Sequence, residues 1–469
     1  MEKGSRLKFN IAGPGGNGPP PQLVADLKRS GLLISEDCEG GEALRFADEN
    51  LFLFLPMLTS FDVRLVPVSK EGCPVRFCTA ILKSISDQPQ PQEKLINPIP
   101  AGGQGRTPIA AAFGCLGELA ERLSLCTLGE SDPRIFSKND LQPEVGLDRI
   151  LGLSEAQVQK IWRKTNWETG RLRGGENDWE QMTTRRVKVQ HLGGADCAYM
   201  PSLGVLFHEI EQIAGTDFSF ASSAGCAVWR TMEGARERAL LELVERDAVA
   251  QAWYNRLGIT ALPVEILNDV LPVSLNGFLE KSARSRQLYK VATDLDVHVV
   301  LAVSFEKDGK GASFGASAGW NIASACEGAV QEMLQSEFSL ELMARAYPLG
   351  DGMDRTNDPI PRQLIYAREK SILNDLPLND VATVREAELA RSYSYGRLLQ
   401  SCLDREIDIW EFNATRPDLN IPCVKLFSPE LCSWEPRFGK KRLYDGVVQR
   451  GLRRTVAREA EFAARPFPF

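Results

Sequence analysis

The sequence has few histidines, and its cysteines do not cluster. Three histidines (His191, His208 and His298) and eleven scattered cysteines are present, without any Cys-x-x-Cys motif. Zinc sites and Ser-His or Cys-His catalysis need such side chains close together, so the sequence supports neither. We interpret the cysteines as reduced and mostly buried. Any chemistry should therefore depend on carboxylates, arginines and a bound ligand.

A long apolar stretch and an excess of positive charge are also missing. Residues 51–58 form the best apolar candidate, and they are too few to span a bilayer. The N-terminal residues contain Gly and Pro in place of a signal-peptide core, so we expect a cytoplasmic protein. The net charge of −7 argues against nucleic-acid binding, which needs a basic surface. We expect neither a membrane nor a nucleic acid as a partner.

What is present is the composition of a globular protein of several domains. The 469 residues are 43% hydrophobic and 25% charged. Dense Gly and Pro predict disorder over residues 1–22, and a polar, Pro-rich stretch at residues 87–100 predicts a linker. We therefore predict a small α/β N-terminal subdomain over 23–97, a main domain over 98–465 and a Pro-rich tail over 466–469.

Hydrophobic periodicity places the main elements. It predicts strands at residues 62–68, 75–82, 204–209, 297–305, 311–318, 407–412 and 421–427, and helices at 109–126, 232–256, 323–346, 386–403 and 440–465. Thr107 and Pro108 suit the cap and first turn of the first of these helices. The basic residues of 160–188 predict an exposed helix and loop. Helices and strands alternate without a strict β-α-β rhythm, which favours an α+β fold of mixed sheets with flanking helices.

A Glu-Leu-x-Glu-Arg motif occurs twice in predicted helices. Glu118, Glu121 and Arg122 form the first copy, and residues 242–246 form the second. Carboxylates at i and i+3 share a helix face and can hold one cation, while the adjacent arginine can clamp phosphate oxygens. The motif therefore indicates a site for Mg²⁺ and a polyphosphate without a P-loop. The same composition is also typical of an exposed helix surface, and that alternative stays open.

Small residues precede each acidic helix. They lie at residues 102–105, 222–227 and 315–319, and the third helix carries Glu332 and Gln335 at the same i, i+3 spacing. Small residues let a ligand approach the backbone, and helix N-termini favour anions. The three segments together predict a composite ligand pocket.

These segments resemble, in order and spacing, the signature of the YcaO-domain family over about residues 98–347. The resemblance implies a YcaO-like composite fold that binds ATP and Mg²⁺. It implies metal ligands Glu118, Glu121, Glu242, Glu245 and Glu332, and nucleotide-binding residues Gln104, Arg122, Ser223, Arg246 and Gln335.

The best-described members of this family act on ribosomally made peptides. They phosphorylate a backbone amide oxygen after attack by a Cys, Ser or Thr side chain, giving azolines, and other members make thioamides or amidines. The resemblance thus implies a cyclodehydratase in the biosynthesis of thiazole/oxazole-modified peptides such as bacteriocins. The Pro-rich tail resembles one whose terminal carboxylate, here that of Phe469, reaches the active site. A frayed terminus is the alternative.

Some positions depart from the family pattern. They are Gln104, Gly114, Arg230, Gly234, Arg238 and Gly328. Glu233 and Glu237 lie one residue before two of them, so a register shift could restore the charge; on a helix, however, one residue is about 100° of rotation, so both sets cannot face the same way. Two interpretations follow: an active cyclodehydratase with a variant site, which we favour, or a YcaO-fold scaffold or substrate-binding subunit with a degenerate ATP site.

The resemblance also implies partners. No segment looks like a ThiF-like or winged-helix docking module, so we expect a separate leader-peptide-docking protein, and with it a flavin-dependent dehydrogenase and an oligomeric complex. The substrate would be a precursor peptide, bound partly through the basic residues 163–186.

Overall fold

The computed structural model describes residues 20–38, 41–83, 99–137, 143–164, 183–209, 220–347, 360–376 and 386–468. These residues belong to two compact units. The first comprises Met1–Ser124, Val228–Met232 and Thr415–Cys423, and the second comprises Leu125–Ala227, Glu233–Ala414 and Val424–Phe469, each in its described part.

The first unit combines three helices with two antiparallel sheets. Its elements are α1 (Pro21–Arg29), β1 (Leu33–Cys38), β2 (Gly41–Phe46), α2 (Leu55–Ser60), β3 (Asp62–Ser69), β4 (Arg76–Lys83), β5 (Ile99–Gly105) and α3 (Pro108–Leu125). β1 pairs with β2, and β3, β4 and β5 form a sheet in that order. The predicted strands at 62–68 and 75–82 are confirmed. Pro21 and Gln22, predicted to be disordered, instead begin α1, and residues 1–19 lie outside the described residues.

Helix α3 packs closely on the strand that precedes it. Thr107 Oγ1 accepts a hydrogen bond from Ala110 N at 3.1 Å, which confirms the predicted cap. A Cβ atom on Gly103 would lie 2.1 Å from Ala111 O and 2.2 Å from Cys115 N. Only glycine allows this approach, and it brings the backbone of α3 against the edge strand β5.

The second unit contains the remaining elements. They are β6 (Ile135–Ser137), α4 (Leu147–Leu151), α5 (Glu155–Lys164), β7 (Arg185–His191), β8 (Cys197–Pro201), β9 (Cys226–Val228), α6 (Met232–Asn255), β10 (Ile259–Ala261), α7 (Val264–Val270), α8 (Val273–Glu280), β11 (Ser285–Val291), β12 (His298–Phe305), β13 (Ser313–Gly319), α9 (Ile322–Ala346), α10 (Arg362–Glu369), α11 (Glu386–Leu389), α12 (Tyr395–Leu403), β14 (Trp410–Asn413), β15 (Cys423–Phe427), α13 (Lys441–Gln449) and α14 (Glu459–Ala463).

Two sheets organise this unit. One has the order β10-β11-β12-β13, and the other has the order β6-β7-β14-β15-β9 with β8 paired to β7. Every residue of β12 is buried, whereas β13 is an edge strand on which α9 packs. A Cβ atom on Gly315 would lie 2.2 Å from both Ala329 O and Met333 N, so glycine again permits this close strand–helix contact. The mixture of helices and small sheets confirms the predicted α+β fold.

Three predicted elements are wrong in extent. Residues 204–209 form no named strand; a 3₁₀ turn covers Ser202–Gly204, and Phe207 makes only an isolated bridge. The helix expected over 386–403 is two helices, because Tyr393 N donates to Trp320 O at 2.8 Å instead of continuing a helix. The helix expected over 440–465 is interrupted where Gly451 adopts a φ of 71°, a left-handed conformation typical of helix ends.

The described part of the basic segment is exposed only in part: Lys160, on a helix, and Lys188 are exposed, whereas Arg185 and Arg186 are not. Arg186 lies in β7, is fully buried and pairs with Glu144. Arg185 Nε lies 2.8 Å from Glu209 Oε1. These two arginines are therefore unavailable to a peptide, and residues 165–182 lie outside the described residues. None of the helices in the described ranges is long and apolar enough to cross a membrane.

Candidate active site

Helix α6 carries the second Glu-Leu-x-Glu-Arg motif. Glu242 Oε2 accepts a hydrogen bond from Gly225 N at 3.2 Å, and its Oε1 accepts one from Arg246 Nη2 at 3.0 Å. Gly225 has a φ of 76°, and a Cβ atom there would lie 2.7 Å from Leu426 O. The glycine therefore shapes the loop that presents its N–H group to Glu242.

Two further carboxylates lie along the edge strand β13. Ala318 N donates to Glu245 Oε2 at 3.1 Å, and Ala316 N donates to Glu332 Oε2 at 2.7 Å. Residues two apart in a strand direct their N–H groups to the same edge, about 7 Å apart. Glu245 of α6 and Glu332 of α9 are thus held side by side by one strand.

Burial and like charge act together on Glu245. The residue is 9% exposed, and its desolvation is the main cause that raises its pKa well above the ordinary value. Arg246 opposes this shift, while the negative charges of Glu332 and Glu242 add to it. Three carboxylates and one arginine leave an excess of negative charge, which a divalent cation fits.

Two nitrogen atoms of the Arg246 guanidinium are available to donate hydrogen bonds. Its Nη2 atom donates to Glu242, but the buried Nε and Nη1 atoms find no hydrogen-bond acceptor among the described residues. Nε lies 3.9 Å from Glu245 Oε1, too far for a hydrogen bond. Buried donors without acceptors are costly, and an arginine in this state matches the oxygens of a phosphate group. Arg246 also lines a cavity together with Ser222, Ser433 and other residues.

The first unit builds its copy of the motif in the same way. Gly102 N, on the edge strand β5, donates to Glu118 Oε2 at 2.7 Å. Arg122 Nη2 lies 2.5 Å from Glu118 Oε1. Glu121 and Gln104 are both half-buried. In both copies the first glutamate therefore joins a backbone N–H group to the arginine one turn later.

The other predicted site residues have separate places. Gln335 is half-buried on α9, one turn after Glu332. Ser223 precedes β9, where its carbonyl accepts a hydrogen bond from Cys226 N at 2.9 Å. Phe469 lies outside the described residues.

No group of three or more His, Cys, Asp or Glu side chains in the described ranges is arranged as a ready metal centre. The carboxylates are instead engaged by backbone N–H groups and arginines.

Neighbouring glutamates do not replace the side chains that the family pattern has at the departing positions. Helix α6 is continuous, so Glu233 and Glu237 stay about 100° around the helix from Gly234 and Arg238, and the suggested register shift is wrong. Arg230 is exposed and donates to Asn50 Oδ1 at 3.2 Å.

Sequence reasoning missed Asp247, the residue after Arg246. It is fully buried and accepts hydrogen bonds from Cys432 N and Arg442 Nε, both at 2.9 Å. An aspartate on the apolar side of a predicted helix was the available signal.

The tail is packed as far as it is described. Phe467 is 2% exposed and contacts the rings of Trp434, Trp253 and Phe314. The alternative of a frayed terminus is therefore wrong for Phe467.

The fold and the site can be compared with known proteins. A family model described as an ATP- and Mg²⁺-binding YcaO cyclodehydratase matches residues 102–432. Because this match covers more than half of the sequence, the chain belongs to the YcaO family. The resemblance is confirmed, and ATP and Mg²⁺ are the cofactors in the family description. No curated protein matches the chain.

Solved structures share the fold. A heterocyclase in complex with substrate and cofactor has a TM-score of 0.72 and 20% identity, covering 90% of this chain and 57% of its own. YcaO from Methanopyrus kandleri, bound with AMPPCP and Mg²⁺, has a TM-score of 0.50 and 16% identity, covering 90% and 93%. The Escherichia coli microcin synthetase McbBCD complex has a TM-score of 0.53 and 15% identity, covering 79% and 88%. The chain thus spans little more than half of the heterocyclase.

Proposed function

We propose that this chain is an ATP-dependent cyclodehydratase that forms azolines from Cys, Ser or Thr residues of a ribosomally made precursor peptide. The observation that carries the proposal is the Arg246 cluster, where two buried donors that find no acceptor in the described part of the chain adjoin Glu242, Glu245 and Glu332. Such a cluster suits a phosphate group accompanied by a divalent cation. Membership of the YcaO family supports the same chemistry.

Each residue type has its own role in this proposal. Glu242, Glu245 and Glu332 of the second unit hold Mg²⁺, which when bound offsets the charge of the triphosphate. Arg246 binds phosphate oxygens through Nε and Nη1. Binding of the cation would replace part of the Glu242–Arg246 hydrogen bonding that the structure shows.

The same roles extend to the other predicted residues. In the first unit, Glu118 and Glu121 are proposed metal ligands and Arg122 and Gln104 are proposed nucleotide contacts. In the second unit, Ser223 and Gln335 are proposed nucleotide contacts as well.

The proposed reaction needs no oxidant. The side-chain thiol or hydroxyl of the substrate attacks the preceding amide carbon and loses its proton to a base. The amide oxygen takes the γ-phosphoryl group of ATP, and ADP leaves. Expulsion of phosphate with loss of the amide proton then closes the C=N bond, so the peptide loses the equivalent of one water.

The base we propose is the terminal carboxylate of Phe469. Phe467, two residues earlier, is packed against Trp434, whose ring also contacts Arg246. Phe467 is thus packed two residues before the proposed base, and proline restricts the backbone of such a segment. Deleting Pro468 and Phe469 keeps the Phe467 ring and moves the terminal carboxylate two residues back along the chain. Unaltered product formation by that variant would remove this role.

We propose that the enzyme works with partner proteins. The McbBCD synthetase that shares the fold is a complex, and one of its structures has pro-MccB17 bound. The proposed partners are a precursor peptide, a separate leader-peptide-docking protein and a flavin-dependent dehydrogenase, in an oligomeric complex.

The test measures ATP turnover and peptide mass together. Wild-type protein, precursor peptide and docking protein are incubated with MgATP, and we expect loss of one water's mass per modified residue. Glu242→Ala and Glu245→Ala should abolish both signals. Glu237→Ala, on the same helix but about 140° around it from Glu242, is the matched control and should retain them. Modification that persists in both alanine variants contradicts the proposal.

A second candidate is a YcaO-fold scaffold or substrate-binding subunit. The observation favouring it is Gly328, where the family often has arginine: an added Cβ atom would lie 2.3 Å from Ser317 Oγ. No larger side chain fits there without a shift of that hydroxyl. Absence of nucleotide binding at millimolar ATP, with an active complex unaffected by both alanine substitutions, would favour this candidate.

A further inference from the structure

Trp434 joins the C-terminal tail to Arg246. The Arg246 Cζ atom lies 3.2 Å from the centroid of the Trp434 ring. The Phe467 ring is parallel to the same indole within 12°, with centroids 5.1 Å apart. We infer that Trp434 is a positioning residue: it orients the Arg246 guanidinium for the nucleotide, and Phe467 holds Trp434 in place. This inference rests on the proposed function, in which Arg246 binds phosphate.

The loop that carries Trp434 depends on helix α6 for its position. Residues 428–440 form neither helix nor strand. Cys432 N donates to Asp247 Oδ1 at 2.9 Å, and Tyr254 Oη donates to the Trp434 carbonyl at 2.7 Å. Asp247 thus holds the loop two residues before Trp434, and Tyr254 holds Trp434 itself. Both residues belong to the helix that carries Arg246. The indole and the guanidinium are therefore fixed to the same element.

The tail is attached to that helix as well. Trp253 Nε1 donates to the Arg465 carbonyl at 3.0 Å, and Phe467 N donates to Tyr254 Oη at 3.4 Å. The Phe467 ring contacts Trp253 edge-on at 5.0 Å and Phe314 at 5.7 Å. Removal of the Phe467 ring would leave space beside Trp434 and loosen the stack.

The stack matters because hydrogen bonds orient Arg246 only in part. Its Nη2 atom is held by Glu242, whereas no acceptor lies within reach of Nε and Nη1 among the residues that the structure describes. A planar guanidinium lies flat on an aromatic ring, so the indole sets the plane in which these two donors point. Without the ring, the arginine has further orientations to lose when phosphate binds. The cost of ordering one flexible side chain on binding corresponds to about a 2- to 12-fold change in affinity.

The experiment measures affinity for Mg²⁺-AMPPCP, a non-hydrolysable ATP analogue, by isothermal titration calorimetry on the full chain. We expect Trp434→Leu to bind about 3- to 10-fold more weakly than wild type, and Trp434→Phe, which keeps a flat ring, to stay within about twofold. Phe467→Leu keeps apolar volume but loses the stacking, and should weaken binding about two- to fivefold. Trp410→Leu is the matched control on β14, and should bind like wild type. Thermal unfolding of each variant without ligand separates orientation from folding.

The outcomes are distinct. Wild-type protein that binds no Mg²⁺-AMPPCP contradicts the proposed function, and the inference is overturned with it. If wild type binds and folded Trp434→Leu stays within twofold, the inference alone is overturned. If Trp434→Leu does not fold, Phe467→Leu decides, and wild-type affinity in that variant overturns the inference. Weaker binding with unchanged unfolding temperature, and recovery in Trp434→Phe, supports it.

Discussion

Replacement of Glu245 by glutamine should separate the stability of the fold from cation binding. In the free protein Glu245 is buried beside Glu242 and Glu332, and its pKa is raised well above the ordinary value, chiefly by desolvation. Glutamine keeps a side-chain oxygen for Ala318 N, which now donates at 3.1 Å, and removes the charge. Each unit of a raised carboxyl pKa corresponds to about 1.4 kcal/mol of destabilisation once the group is ionised.

The raised pKa of Glu245 determines how its contribution to the stability of the fold changes with pH. The folded protein holds the proton more tightly than the unfolded chain, so ionisation of Glu245 destabilises the fold. This cost is absent below the ordinary glutamate pKa, grows as the pH rises and is complete above the folded pKa. Glu245→Gln should therefore match wild type in acid and unfold at a temperature about 1–3 °C higher at pH 8.

Glu245→Gln should reduce the stabilisation by ligand, although it stabilises the ligand-free protein. A ligand at about 100 times its Kd stabilises a protein by about 2.7 kcal/mol, and a tenfold weaker ligand at the same concentration gives about 1.4 kcal/mol. Loss of one carboxylate ligand should thus cut the Mg²⁺-AMPPCP-induced rise in unfolding temperature to half or less. Scanning fluorimetry measures both effects, with Glu237→Gln as the matched control. A variant several degrees less stable than wild type without ligand, or an unchanged ligand-induced rise, would refute the reasoning.

Three other predictions follow from the same contacts. Cation binding should release a proton from Glu245, so the apparent Mg²⁺-AMPPCP affinity should rise with pH, and calorimetry in two buffers should detect the proton; a flat pH profile contradicts this. Gly315→Ala should destabilise the fold by about 2–4 kcal/mol, because its Cβ atom would lie 2.2 Å from backbone atoms of α9. The control is Gly277→Ala on α8, whose Cβ atom would meet nothing within 4 Å; it should unfold at the wild-type temperature or slightly above it. Asp247→Asn should cost about 1.5–3 kcal/mol in unfolding experiments because it removes one of the two carboxylates that pair with the buried Arg442. Wild-type stability of Asp247→Asn would show that Asp294 suffices for that arginine.

Much of the local structure could be predicted from the sequence. Helices α3, α6 and α9 and strands β12 and β13 agree with their predicted bounds within a few residues, because apolar periodicity records which face of an element is buried. The breaks after Leu389 and Gln449 were not predicted, since residues distant in sequence or a left-handed glycine end those helices. Likewise, charge alone made Arg186 look exposed, whereas its pairing with Glu144 depends on tertiary contacts.

The sequence by itself determined the acidic faces of the site helices. The i, i+3 spacing of Glu242 and Glu245, and the arginine that follows, place their side chains within one helical turn whatever the rest of the chain does. It also indicated the family to which these motifs belong. Gly103 and Gly315 were expected to let a ligand approach the backbone, and the structure shows the backbone of a helix against each of them.

Only the tertiary structure decided what those side chains contact. Glu245 and Glu332 lie on different helices, and they meet because the edge strand β13 directs the N–H groups of Ala318 and Ala316 to the same side. Trp434 has no local pattern that links it to Arg246; an irregular loop anchored by Asp247 brings it there. The physical reason is that backbone hydrogen bonds at a strand edge, and stacking between distant rings, are long-range contacts that no local periodicity records.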